Sequence, residues 1–137
     1  MACGGKDKLV IGIPTYGKSY KRCVEGDVKF GDQALCGPIG PIRKSNEWAF
    51  FEVCEARKKG RWIRSWQNEH EVPYMYNDNS IITYDSPLSA ARKAVFIKYN
   101  GYGGAMFWTL DFDDFNGKFC GGLKFPVINA VRQILYM

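Results

Sequence analysis

The residues of this chain best suited to chemistry stand in one run, GGAMFWTLDFDDF, from Gly103 to Phe115. An apolar stretch with the pattern of a buried strand delivers Trp108 and then Asp111, Asp113 and Asp114 at its carboxyl end. Two residues apart in an extended strand, Asp111 and Asp113 would project from one face at ~7 Å, a separation at which two carboxyl groups can divide acid and base work. Trp108 would add a flat apolar surface with one polar edge. Ligands gather at the carboxyl ends of strands in parallel α/β architectures, so a strand that ends this way is built like one that serves a site. The plainer reading of each part is structural: acids at strand ends mostly cap backbone or face solvent, and a tryptophan in a strand is mostly core.

Several elements must hold that run in place. Lys8 to Pro14, KLVIGIP, is a short continuous apolar run closed by proline, which predicts a strand buried on both faces in a parallel sheet. From Lys18 to Tyr84 the chain is glycine-rich and broken by prolines at 38, 41 and 73, with strand-like aromatic pieces at Trp48 to Val53 and Val72 to Tyr76. It reads as an α+β insertion with antiparallel strands. Ser86-Pro87 predicts a helix start and Asn100-Gly101 its end, with Leu88, Ala91, Val95 and Tyr99 near helical spacing. The strand Gly104 to Leu110 follows. Phe125, Ile128, Val131 and Leu135 then predict an amphipathic helix over Pro126 to Leu135. The fold class is therefore α/β. Two parallel strands and two helices leave sheet edges and faces uncovered, so something is expected to be missing from this chain.

Composition bounds the rest. The 137 residues are 46% hydrophobic and 15% aromatic, ample for an ordered core. The net charge of +5 includes a local cluster, Arg57, Lys58, Lys59, Arg61 and Arg64, which with no nucleic-acid motif beside it reads as a solvated surface. No apolar run approaches the ~20 residues of a membrane helix, and Met1 to Lys8 has no signal-peptide core. Five cysteines, Cys3, Cys23, Cys36, Cys54 and Cys120, include no CxxC pair, and His70 is the lone histidine, so no metal site is expected. Disulfides are the better reading of the cysteines, which points to an oxidising compartment and a secretion signal outside this chain. The odd count leaves one thiol without a partner.

KLVIGIPTYGKSY, WAFFEVC at Trp48 to Cys54, HEVPYMY at His70 to Tyr76, and GYGGAMFWTLDFDDFNGKFC with its following KFP together resemble the carboxyl-terminal third of a family 18 glycoside hydrolase. That family comprises chitinases and chitinase-like lectins. The match runs in order through nearly the whole chain. It implies the end of a TIM (β/α)8 barrel: residues 8–17 as strand 7 and its loop, 18–84 as the chitinase insertion domain, and 85–137 as helix 7, strand 8 and the closing helix.

The resemblance also assigns roles. Trp108 matches the tryptophan that floors the cleavage-site sugar, Met106 a methionine of the same subsite, and Tyr16 a tyrosine bordering the cleft. Lys18 stands where arginine is common, losing the planar fork. Glu47 stands where related sequences carry methionine at a leaving-side sugar. Ile81 falls near a tryptophan of many members. Cys54 and Cys120 match a family disulfide, Cys23 and Cys36 are expected to pair within the insertion, and Cys3 is left over.

Neither the family's D-x-x-D-x-D-x-E motif nor its tyrosine-aspartate pair occurs here, so no residue is assigned as catalytic and the aspartates after Trp108 are read as structural. In the family the glutamate of that motif protonates the glycosidic oxygen and the substrate's acetamido group attacks the anomeric carbon. The implied partner is chitin or a chitooligosaccharide, with no cofactor, nucleic acid or membrane involved. The implied parent is an extracellular chitinase; the alternative is a chitinase-like lectin that binds sugar without cleaving it.

Overall fold

The computed structural model describes residues 4–23, 26 and 29–137, so Cys3 lies outside the described residues. In chain order the strands and helices are β1 (Val10–Pro14), β2 (Tyr16–Arg22), β3 (Ala34–Cys36), β4 (Glu47–Ala49), α1 (Phe50–Lys58), β5 (Ile63–Gln67), β6 (Val72–Tyr76), β7 (Ser80–Thr83), α2 (Pro87–Asn100), β8 (Gly104–Trp108) and α3 (Pro126–Tyr136). The first and last strands form a parallel pair, with Val10 opposite Gly104 and Pro14 opposite Trp108. The six strands between them form an antiparallel sheet in the order β3-β2-β7-β6-β5, with β4 pairing β2.

The parallel pair is sided. Ile11, Ile13, Ala105 and Phe107 pack into the core with Ala90, Ala94 and Ile97 of α2 and Val127 and Val131 of α3. The other face carries Val10, Gly12, Met106 and Trp108, and Val10 is 58% exposed. The expected strand buried on both faces is thus buried on one, because the helices cover only that side.

The helix α2 begins and ends as the sequence predicts. The Ser86 hydroxyl accepts from the Ser89 amide (3.3 Å), Pro87 opens the first turn, and Gly101 closes it at φ 71°. Its inward face differs: Ala90, Ala94 and Ile97 are buried, while Leu88, Val95 and Tyr99 are exposed. Small residues let α2 lie close against α3, whose backbone carbonyl at Ile134 accepts from Lys98 (3.0 Å).

Trp48 to Val53 is not one strand. β4 ends at Ala49 and α1 begins at Phe50, because Phe50, Val53 and Cys54 recur at helical spacing and all face the core. The Cys54–Cys120 disulfide forms across 66 residues with Cα atoms 5.2 Å apart. The expected Cys23–Cys36 bridge does not. Both thiols are free and exposed: Cys36 sits opposite Tyr20 in the ladder, whereas Cys23 lies beyond Arg22, the last residue of β2. No helix among the described residues is long and apolar enough to cross a membrane.

Candidate functional site

The end of the parallel pair and the start of the antiparallel sheet meet at one corner. Pro14 lies opposite Trp108, and Tyr16 begins β2 two residues later. Thr15, fully buried between them, fixes the corner. Its amide donates to the Trp108 carbonyl (3.1 Å), its hydroxyl donates to the Thr109 carbonyl (2.5 Å), and its own carbonyl accepts from the first amide of α1, Phe50 (2.9 Å). One residue therefore ties both strands and a helix together, and Trp108 is held by its backbone while its side chain stays 63% exposed. The strand therefore ends in an exposed apolar side chain with one polar edge.

Met106 lies on the same face, 46% exposed. Opposite it is Gly12, where a Cβ would sit 3.4 Å from the methionine Cε. The glycine leaves the floor beside Trp108 shallow and lets the thioether lie across it.

Tyr16 and Lys18 sit on one face of β2, since alternate residues of a strand share a face. The tyrosine ring meets Phe112 edge-on, with centroids 6.3 Å apart at 86°. The guanidinium carbon of Arg43 lies 3.6 Å from the centroid of that phenylalanine ring. Lys18 and Glu47 are cross-strand partners in register, their charged groups 3.6 Å apart and about half exposed. The two charges thus answer each other across the ladder. Between Tyr16 and Lys18, Gly17 is obligatory: a Cβ there would meet the Thr83 carbonyl oxygen at 2.5 Å and the Tyr84 Cβ at 2.8 Å. A cavity of about 270 Å³ runs along this sheet face from Pro14 past Tyr16, Lys18 and Tyr20 to Val72 and Asp85.

The three aspartates part company. The strand stops at Trp108, and residues Leu110–Phe112 form a turn of 3-10 helix, so the extended spacing expected of Asp111 and Asp113 is not realised. Asp111 stays on the surface and accepts from the Thr109 hydroxyl. Asp113 is buried and accepts from the amides of Val127 (3.1 Å) and Ile128 (3.0 Å) in the first turn of α3, and from Asp114 (2.8 Å). It does the capping work that Phe125, the residue before α3, does not do. Burial raises its carboxyl above the ordinary carboxylate range; the Ile128, Asp114 and Val127 amides oppose that, and the Asp114 charge adds to it. Asp114, also buried, accepts from the amides of Lys118, Phe119 and Cys120, which shapes the loop carrying the disulfide. Two of the three acids are therefore consumed as backbone acceptors.

Glu52 went unread in the sequence. It is fully buried and accepts from the amides of Ile42 (2.8 Å), Arg43 (2.7 Å) and Ala49 (2.9 Å). Its place three residues after Ala49, at the third position of α1, is half of a capping box, a signal hidden by reading Trp48 to Val53 as a strand. Through Arg43 it seats the guanidinium on Phe112. Among the described residues no group of His, Cys, Asp and Glu could hold a metal ion.

Residues 2–113 match the family described as Glycosyl hydrolases family 18. The chain is 37% identical over 134 residues to an oviduct-specific glycoprotein of Bos taurus, covering 94% of this chain and 24% of that protein. It is 37% identical over 130 residues to chitotriosidase-1 of Mus musculus, covering 93% and 27%. The α/β fold superposes on human YKL-39, described as a pseudo-chitinase with retained chitooligosaccharide binding properties, with a TM-score of 0.88 at 33% identity over 97% of this chain and 36% of that one. The chain thus spans about a quarter to a third of its relatives.

Proposed function

The chain belongs to glycosyl hydrolases family 18, and from that premise we propose that it is the chitooligosaccharide-binding carboxyl-terminal part of a chitinase-like protein. In this reading β1 and β8 are the seventh and eighth staves of a (β/α)8 barrel, residues 18–84 are the insertion domain that walls the cleft, and Trp108 is the floor under the sugar. The single observation behind the proposal is the exposure of Trp108 on a corner made rigid by Thr15. Met106 widens the floor, Tyr16 offers a hydroxyl from the side, and the Lys18–Glu47 pair forms a charged rim.

Chemically, the site binds and orients. The pyranose C–H face lies against the indole, and no described acid near Trp108 is free to protonate a leaving oxygen except the surface Asp111. The proton donor of the parent enzyme would come from another strand of the barrel, and the nucleophile from the substrate's own acetamido group. The disulfide fits an extracellular protein. A lectin is the second reading, favoured by the likeness to the sugar-binding pseudo-chitinase.

The magnitude follows from area. With 63% of an indole side chain open, one sugar ring covering about 80 Å² gains about 2 kcal/mol at about 25 cal/mol per Å². Loss of that surface weakens binding about 30-fold. Retardation on a chitin column tests the reading: the chain should elute late and Trp108→Ala with the front. Equal retention of both would refute it. In the same preparations, release of fluorophore from a chitobiose substrate, abolished by Asp111→Asn, would overturn the assignment of that acid as non-catalytic.

A further inference from the structure

We propose that the basic cluster beside the Cys54–Cys120 disulfide binds an oxyanion ester, a sulfate or phosphate group carried on a larger molecule, gripped by Arg57, Lys58 and Arg64. These three side chains line one cavity of about 320 Å³, together with Phe119, Gly121 and the disulfide itself, and no carboxylate is in its lining. The volume exceeds what a tetrahedral oxyanion fills, leaving room for the group that bears it.

Ordinary surface chemistry explains only part of this arrangement. Arg57 and Lys58 stand in the last turn of α1, where cations complement the helix dipole. Arg64 has no such reason to be there. It arrives on β5, opposite the fully buried Met75, and packing of the sheet carries it to the same cavity. Among the described residues none of the three forms an ion pair. The nearby acids are engaged elsewhere: Glu55 pairs with Lys59 at 3.2 Å, and Glu52 is buried on loop amides. Both guanidinium charges oppose the effect of burial on the Tyr84 phenol.

Three like charges converging on one hollow repel one another unless an anion enters. Guanidinium forks match the oxygens of sulfate and phosphate bidentately, and the ammonium adds a point charge. The disulfide fixes Cys54 on α1 against Cys120, so the two sides of the cavity are held at constant spacing.

The test titrates the 137-residue chain with sulfate, phosphate, glucosamine 6-sulfate and glucosamine 6-phosphate, following heat and nitrogen–proton spectra. Saturable binding of at least one ester is expected, shifting the Gly121 amide and the Arg57 and Arg64 side-chain signals. Raising chloride from about 50 to about 200 mM should weaken it, because salt screens the three cations and chloride competes for them. An R57Q/R64Q double variant should bind at least tenfold more weakly, with an unchanged unfolding midpoint. Preference for the sulfate ester identifies a sulfated glycan as the source of the group, and preference for the phosphate ester a phosphorylated one. No saturation with any of the four probes, shifts confined to another surface, or equal affinity of the double variant would overturn the proposal. If the double variant does not fold, the shift map on the unaltered chain decides alone.

Discussion

Replacing Glu52 by glutamine exchanges one atom in the core and should cost the fold heavily. The carboxylate accepts three backbone amides at 2.7 to 2.9 Å with no exposure to solvent. In Glu52→Gln the remaining oxygen can keep Ile42 and Arg43, but the new amide nitrogen then faces the Ala49 N–H, donor against donor. One bond to a charged acceptor, about 2 kcal/mol, is lost, and the two survivors weaken by about 0.5–1 kcal/mol each. Relief from burying a charge offsets part of this, for a net loss of about 2–3 kcal/mol. For a chain of this length that lowers the thermal midpoint by about 10 °C. Glu47→Gln is the matched control: its exposed pair with Lys18 at 3.6 Å should be worth less than about 0.5 kcal/mol. Urea and thermal unfolding of the three proteins measure the difference. Equal midpoints for Glu52→Gln and Glu47→Gln would refute the buried-acceptor reasoning. A midpoint that falls while the Phe112 ring signals stay fixed would sever the link from Glu52 through Arg43 to the site.

Three further outcomes follow from the same geometry. Reduction or Cys54→Ser should cost about 4 kcal/mol, from reopening a 66-residue loop, whereas alkylation of native protein should label Cys23 and Cys36 without loss of fold; protection of both would restore the missing bridge. Gly17→Ala should cost about 1–3 kcal/mol by forcing β2 away from Thr83, and an unchanged unfolding midpoint would show that the strands can part freely. Tyr84, whose phenol burial lifts above its usual 10.0 against the opposing charges of Arg57 and Arg64, stays protonated in the fold after it has ionised in the unfolded chain. Its contribution is therefore complete below pH 10 and lost as pH rises through the folded value, with a slope of up to about 1.4 kcal/mol per pH unit. Tyr84→Phe should flatten the alkaline decline in stability, and an unaltered slope would contradict that sign.

Much of the framework was legible because local signals and tertiary demands agreed. Ser86-Pro87 and Gly101 bound α2, KLVIGIP and GAMFW pair in parallel, and Pro126 opens α3. Where they disagreed the sequence misled. In α2 the large residues Leu88, Val95 and Tyr99 mark an apolar stripe, yet close packing on α3 selects the alanines. In WAFFEVC aromatic and β-branched residues suggested a strand, while a buried glutamate three residues past Ala49 made it a helix. Thr15 and Asp113 were invisible as supports, since their partners lie 94 and about 14 residues away and only folding brings them together. Lys18 and Glu47 looked like two separate departures; the register of β2 against β4 makes them one pair.

The central claim is that Trp108 is a sugar floor and not a stranded core residue. Chitohexaose titrated into nitrogen-labelled protein tests it most directly, read at the indole N–H of all four tryptophans. The Trp108 signal should move most, with millimolar affinity and neighbouring shifts at Met106 and Tyr16, and Trp108→Ala should abolish the response. Saturable binding that leaves the Trp108 indole unmoved, or that persists unchanged in Trp108→Ala, would contradict it.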